Sequence, residues 1–426
     1  MPCRIVFIHQ NAPGQFKHLL AHCAQSPEFE AVVIGEKRRV LAHFPRAMPG
    51  VKFHVYEMAE IARDQLPQEL LYTANAMRRG RAVALCLRSL RSTGFRPHVI
   101  YGHPGWGDML HVRDIFPEAR VVNYCEFYFN REGQDIGFDP EFQAEVTDAY
   151  RVRTDNMTQL SSLVDADAGI SPTYWQRSRY PELMRQSISV IHDGIDLDVV
   201  RPDPTAEVVL PQSSLRLDLQ TPVITYVARN LEPYRGFHVF MRALPAILEA
   251  VPNAHVVIVG GDDVSYSLKP AQGGTYREAM LKEVGARLDR SRVHFLGRVS
   301  YSQYLRVLQI SSIHVYLTYP FVLSWSMLEA MAAGTIVVAS KTAPVQEVIE
   351  AGANGHLVDF FSHQELADTV SGTCLRRESP DSLHLREVAR LTVAKRFDLR
   401  NSCLNQQLAL LHPAYEPAFV PTSVAQ

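Results

Sequence analysis

The sequence predicts an α/β protein built from two parallel-sheet halves, and three observations carry that expectation. At 426 residues the chain exceeds what one ordinary core accommodates. Short β-branched or apolar runs alternate with helix-length segments, the rhythm of a parallel sheet with crossovers. That rhythm also stops and starts again. In the first half the runs are Ile5–His9, Ala31–Ile34, His98–Gly102, Arg120–Tyr124, Ala168–Ser171 and Ser189–His192. A polar, proline-containing stretch at residues 203–220 then reads as a linker. The second series is Val223–Ala228, His255–Val259, Val293–Leu296, Ile313–Leu317, Ile336–Ala339 and Gly355–Val358. The tail from Pro413 to Gln426 reads as frayed.

Composition narrows the function classes. Hydrophobic residues make up 46% and charged residues 21%, as in soluble globular proteins. A formal net charge of −2 argues against nucleic acid as a bulk partner. The six cysteines form no CxxC pair and no Cys/His cluster, so they read as reduced core residues. Apolar runs fall short of the ~20 residues of a membrane span. The N-terminus leads straight into a strand, so no signal peptide is expected and the location is expected to be cytoplasmic.

The densest signal is Tyr319–Ser340. It reads as a loop, a helix opening near Ser326 and ending at Gly334, and a buried strand at Ile336–Ala339. First-turn helix amides form an anion site, and Glu329, one turn in, can accept from paired hydroxyls. Phosphate and a diol together describe a nucleotide sugar. An ordinary helix–strand unit with one solvated glutamate fits the same letters. Upstream, the strand Thr221–Ala228 ends in Arg229-Asn-Leu-Glu-Pro-Tyr-Arg235-Gly236, followed by helical periodicity over Phe237–Ala250. Two arginines thus bracket a turn where open α/β sheets hold ligands, and arginine grips phosphate with a planar fork.

These stretches, with Gly334-Thr-Ile-Val-Val, resemble the donor half of family 4 retaining glycosyltransferases of the GT-B fold. The resemblance runs in order along nearly the whole chain. It implies two Rossmann-like domains facing each other across a cleft, with an acceptor domain at 1–202 and a donor domain at 221–384. A final helix at 385–412 is implied to cross back to the first domain. It further implies that Arg229 and Arg235 hold the donor diphosphate and Glu329 the ribose. Backbone at Val322, Leu323, Ser324 and Trp325 approaches the diphosphate and sugar, and Gly297–Val299 lies at the base. The co-substrate would be a UDP- or GDP-sugar, with no cofactor and no metal. One departure stands out: the first of two family glutamates is Phe321 here. A phenyl ring at that edge favours a donor sugar with fewer hydroxyls, such as a deoxy or N-acylated sugar.

In the first half, Gly14 and Gln15 follow a strand end, and Lys17 opens a helix. The resemblance places two glycines there, beside the donor phosphate; with Gln15 at the second, a side chain lines the site. His103 follows a strand among Gly102, Gly105 and Gly107. By itself it fits a structural histidine, while the resemblance implies a residue touching sugar or acceptor. Glu126 opens a loop to Asp139 that mixes aromatics and carboxylates, readable as an acceptor pocket or as a lid. Arg78, Arg81, Arg88 and Arg91 share a helix face opposite Val83, Cys86, Leu87 and Leu90. That face is either solvated or docks on anionic lipid. Asp165/Asp167 and Asp196/Asp198 imitate metal-binding carboxylate pairs without a supporting ligand set.

The expected function is transfer of a sugar from a nucleotide diphosphate to a glycan, lipid-linked or protein hydroxyl. A GT-B epimerase and a non-catalytic sugar-nucleotide binder remain as alternatives.

Overall fold

The protein is described from a computed structural model covering residues 2–44, 48–62, 64–142, 148–210 and 214–412. The chain forms two compact units. Among the described residues, the first holds those up to Ile136, those from Asp148 to Gly194, and Arg400–His412. The second holds Ile195–Leu399 and a six-residue excursion, Gly137–Phe142.

The first unit is a seven-stranded parallel sheet. Its strands are β1 (Cys3–Ile8), β2 (Phe29–Glu36), β3 (Val51–Tyr56), β4 (Val99–Gly102), β5 (Arg120–Tyr124), β6 (Ala168–Ser171) and β7 (Ile188–Val190), in the order β3-β2-β1-β4-β5-β6-β7. Side chains alternate across a strand. Ile5 and Phe7 therefore enter one core with Leu19, Leu20 and Val122, while Val6 and Ile8 enter another with Val83, Leu87 and Ile100. Covering both faces is what makes these strands read as continuous apolar runs. The strand order reverses between β1 and β4, so their carboxyl ends open a crevice.

In the second unit, residues 203–220 carry a short antiparallel hairpin of β8 (Glu207–Val209) and β9 (Arg216–Asp218). Leu210 and Leu217 from it are buried with Val223, Val257 and Ile310. The main sheet has six parallel strands: β10 (Val223–Asn230), β11 (His255–Gly261), β12 (Val293–Gly297), β13 (Ile313–Tyr316), β14 (Ile336–Ser340) and β15 (His356–Val358). Their order is β12-β11-β10-β13-β14-β15, and the reversal falls between β10 and β13.

The C-terminal stretch is not one helix. Pro380–Arg396 is helical, and then Phe397 and Leu399 bond across Ile195 (Ile195 N to Phe397 O 2.7 Å, Leu399 N to Ile195 O 3.0 Å). This extended bridge interrupts the helix. After a π-helical turn at Leu399–Cys403, the helix Leu404–Leu411 buries Leu410 and Leu411 in the first unit's core. The expected frayed tail, 413–426, lies outside the described residues.

Candidate functional site

The donor-side cluster forms where β10 and β13 diverge. After β10 the chain makes one tight turn, Pro233–Arg235, and reaches Gly236 at φ 65°. A side chain there would be strained, and its Cβ would lie 2.4 Å from that of Leu317. This glycine starts the helix Phe237–Ala250, whose Phe237, Phe240, Leu244 and Ile247 are fully buried. Each contributes about 1.5–3 kcal/mol of hydrophobic stabilisation. The turn is therefore anchored from behind. Arg235 points across the reversal and donates from one guanidinium nitrogen to Thr318 Oγ1 (2.8 Å), Val322 O (3.2 Å) and Tyr316 OH (3.3 Å). Arg229 lies exposed one residue before the end of β10.

Aromatic rings surround that guanidinium. Tyr266 and Phe321 lie 5.8 and 5.9 Å from it and pack edge to face, 4.7 Å apart. Tyr234 meets the Phe321 edge at 5.6 Å and stacks on Tyr319 at 4.6 Å. Two buried carboxylates fix this wall. Glu232 Oε2 accepts the backbone N–H groups of Ser265, Tyr266 and Ser267 at 2.9–3.0 Å. Asp139, from the excursion, accepts from the Tyr319 hydroxyl at 2.8 Å and pairs with His238 Nε2 at 3.1 Å. Burial would raise the Asp139 pKa, but the hydrogen bonds from His238 and Tyr319 outweigh it and hold it below the usual value.

The helix after the Phe321–Ser324 loop spans Trp325–Ala332, capped by the Ser324 hydroxyl, which accepts from Ser326 N at 3.3 Å. Gly334, at φ 85°, ends it. The Ser324 amide itself donates to Tyr316 OH at 2.8 Å. Phe321 and Val322 are buried, while Leu323, Ser324 and Trp325 are half-buried. Glu329 is 5% exposed, and its two oxygens accept from Tyr301 (2.7 Å) and Tyr304 (2.5 Å). Val299 packs its side chain on the core beside Leu217 and Val223, leaving its backbone as the part that can meet a ligand.

In the first unit, four polar side chains meet where β1 and β4 diverge. The Asn11 amide donates to His9 Nδ1 (2.9 Å), which leaves the proton on Nε2, directed at Gln15 Oε1 (2.9 Å). Gln15 Nε2 donates to Glu126 Oε1 at 2.5 Å. From the other side the Gly105 amide donates to His103 Nδ1 (3.0 Å), so His103 carries its proton on Nε2 and donates to Glu126 Oε2 at 3.2 Å. Glu126 is the shared acceptor of both arms. Burial alone would raise its pKa, but His103 and Gln15 outweigh this and it falls below the usual range. His103 stacks on Trp106 at 4.1 Å, and the buried Arg79 holds Trp106 O at 2.9 Å. Gly14, at φ 49°, leaves room for the His9 ring, which a Cβ there would meet at 2.6 Å. Lys17 sits half-buried at the start of the next helix, Lys17–Gln25.

The comparisons with known proteins bear on the family and the fold. The model for the glycosyl transferase family 4 group matches residues 28–200, and that for glycosyl transferases group 1 matches 212–384. The chain belongs to the family 4 glycosyltransferases. A D-inositol 3-phosphate glycosyltransferase from Corynebacterium glutamicum is 28% identical over 186 residues, 43% of this chain and 42% of that protein. Spore coat protein SA from Bacillus subtilis is 26% identical over 215 residues, 48% of this chain and 54% of that protein. The chain thus spans about half the length of the curated relatives it matches. Sucrose-phosphate synthase from Thermosynechococcus elongatus superposes with a TM-score of 0.70 at 18% identity, covering 96% of this chain and 98% of that one. Anabaena HepE in complex with UDP and glucose gives 0.67 at 17%, covering 96% and 98%. These superpositions establish the GT-B fold for this chain.

Sequence reasoning missed Glu232, Tyr266, Tyr301, Tyr304, His9 and Asp139 as members of these clusters. Glu232 lay in plain view between the two arginines. The tyrosine pair sits at i and i+3 directly after the Gly297–Val299 turn, and that spacing was its only signal. Among the described residues no group of three His, Cys, Asp or Glu is placed to hold a metal. Asp167 is engaged by Arg113 and the Val121 amide. All six cysteines are free thiols.

Proposed function

We propose that this glycosyltransferase moves a sugar from a UDP- or GDP-sugar to an acceptor hydroxyl with retention of anomeric configuration. The observation that carries the reading is Arg235. It is held rigidly at the strand reversal, and the helix one loop further on bears Glu329. Arginine there suits a diphosphate, and Glu329 suits a ribose. As the bond from the anomeric carbon to the diphosphate breaks, the sugar gains oxocarbenium character and the diphosphate gains charge. Arg235, Arg229 and the amides of Val322, Leu323 and Trp325 stabilise that charge where it develops. The acceptor oxygen attacks on the face the diphosphate leaves, and its proton passes to a departing phosphate oxygen. His103, with Nδ1 filled by the Gly105 amide and Nε2–H donating to Glu126, positions the carboxylate that receives acceptor hydroxyls rather than acting as a base. Gly14 and Gln15 would face the donor phosphate side, and Lys17 and Glu126 the acceptor. HepE, solved with UDP and glucose, supports uracil as the base.

The aromatic edge at Phe321 supports a donor sugar poor in hydroxyls there. It also favours one other reading, a sugar-nucleotide binder without turnover. Release of nucleoside diphosphate that depends on an added acceptor excludes that reading and separates transfer from epimerisation.

A lipid-linked acceptor at the inner membrane face fits the helix Gln68–Ser92. Met77 and Leu85, each 59% exposed, alternate with Arg81 and Arg88 at helical spacing, with Arg78 beside them. Arg91 is also exposed, and it donates to Ile115 O at 2.8 Å. No described helix is long and apolar enough to cross a membrane. Flotation with anionic vesicles, absent with neutral ones and lost on charge reversal of Arg81 and Arg88, supports peripheral contact; no flotation removes it.

The first test is a thermal-shift screen of wild type and Arg235→Ala against UDP, GDP and their sugars. A ligand at 100 times its Kd stabilises by about 2.7 kcal/mol. One nucleotide series should shift the wild type and not the variant. If nothing shifts the wild type, the donor reading fails.

A further inference from the structure

The carboxylate assigned to the ribose already has two partners. Tyr301 and Tyr304 lie on the helix Tyr301–Gln309, whose start is fixed by the Ser300/Gln303 capping box. Three residues apart, they share one helix face. Each donates to a different oxygen of Glu329, at 2.7 and 2.5 Å. Burial and the Glu329 charge push both phenols above their ordinary range, so they remain donors. Their surroundings differ. Tyr301 is 47% exposed at the first position of the helix, whereas Tyr304 is half-buried and packs against the core cluster that holds Leu328 and Met331.

We propose that Tyr301 and Tyr304 hold Glu329 ready for the sugar of the nucleotide. The Tyr301 hydroxyl occupies Glu329 Oε1 in the free protein and gives way to a ribose hydroxyl, while Tyr304 stays and fixes the carboxylate's orientation. This rests on the donor-site reading above. A ribose replaces one hydroxyl donor with another and loses nothing. A deoxyribose that displaces Tyr301 leaves a buried carboxylate oxygen without its donor, a costly exchange. Selection of ribose over deoxyribose follows from that asymmetry.

The experiment is titration calorimetry of wild type, Tyr301→Phe and Tyr304→Phe with UDP, GDP and their 2′-deoxy and 3′-deoxy counterparts. For the ribonucleotide that the wild type binds, Tyr301→Phe should tighten binding by about threefold to tenfold, since the competing donor is gone. The deoxy form that lacks the contacting hydroxyl should tighten by a similar factor, because either ligand displaces Tyr301, so the preference for ribose is kept. Tyr304→Phe should weaken binding of the ribonucleotide. Because Tyr301 is at the surface, its variant folds and carries the test alone. An unchanged or weakened affinity in Tyr301→Phe, with wild-type binding intact, overturns the proposal. If the wild type binds none of the probes, the donor reading itself has failed, and this proposal with it.

Discussion

Gln15 donates its side-chain amide to Glu126 across 2.5 Å, joining residues 111 positions apart. The bond closes a chain of donors whose direction is set at both ends by backbone amides, those of Asn11 and Gly105. Every side chain between them therefore has one allowed orientation. Glu126→Gln would place an NH2 group opposite one of two donors. Flipping Gln15 to accept it would turn the Gln15 amide toward the His9 Nε2–H. His9 cannot change tautomer, because Nδ1 already accepts from Asn11. An unsatisfied buried polar group costs about 1–3 kcal/mol. Glu126→Gln should lower the melting temperature of the first unit while nucleotide binding by the second stays as in wild type. An unaltered melt would contradict the closed network.

Phe321 lies in an edge-to-face arrangement with Tyr234 and Tyr266, within 6 Å of the Arg235 guanidinium. Replacing it by glutamate puts a carboxylate among these rings, close enough to pair with Arg235 and to accept a sugar hydroxyl. Donor preference should then move toward fully hydroxylated sugars. Competition between UDP-hexose and UDP-N-acylhexosamine or UDP-deoxyhexose reads this directly. The same ranking of donors before and after the change would remove Phe321 from the specificity argument.

Glu232 is buried and accepts three consecutive backbone N–H groups, at Ser265, Tyr266 and Ser267. A carboxylate is suited to that cradle because one oxygen can gather several donors. Glu232→Gln keeps the shape and removes the charge. The expected outcome is weaker donor binding, as the Tyr266 ring loses its fixed place beside Arg235, with hydrogen exchange at Ser265–Ser267 rising. Unchanged exchange at these amides would show that the loop is held by something else.

Much of this was legible in the letters, for physical reasons. Strands buried on both faces read as unbroken apolar runs, which is why β1, β10 and β14 stand out. β3 does not, because Val51–Tyr56 is mostly half-buried or exposed, only Tyr56 being buried, with Lys52 paired outward to Glu30. The turn around Gly236 and the Glu329 helix were visible because local rules govern both. The partners of Glu329, Arg235 and Glu126 were not, since each arrives from another strand end or helix. Asp139 shows the limit best. Nothing local indicates that a residue between two first-unit segments belongs with Tyr319 and His238 of the second. The expected single helix over 385–412 failed for the same reason: its interruption depends on Ile195, some 200 residues upstream.

Acid sensitivity follows from two neutral histidines. Burial, aided by His103, pushes His9 down to about 3, and burial alone pushes His314 to about 3. His9 lies in the first unit and His314 in the second, where it meets the Thr225 hydroxyl at 2.9 Å and leaves Nε2 buried without a partner. In the unfolded chain each titrates near 6.5. Between pH 6.5 and 3 the unfolded state therefore binds more protons, so stability rises with pH across that window and is lost as pH falls. From pH 6.5 to 5.0 each histidine should remove about 2 kcal/mol from the unfolding free energy of its own unit. Denaturant unfolding at the two pH values measures this. His314→Leu should flatten the pH dependence of the second unit and leave that of the first intact, since Thr225 retains its bond to Ser311 at 2.8 Å. A second unit equally acid-sensitive with leucine at 314 would place the titrating group elsewhere.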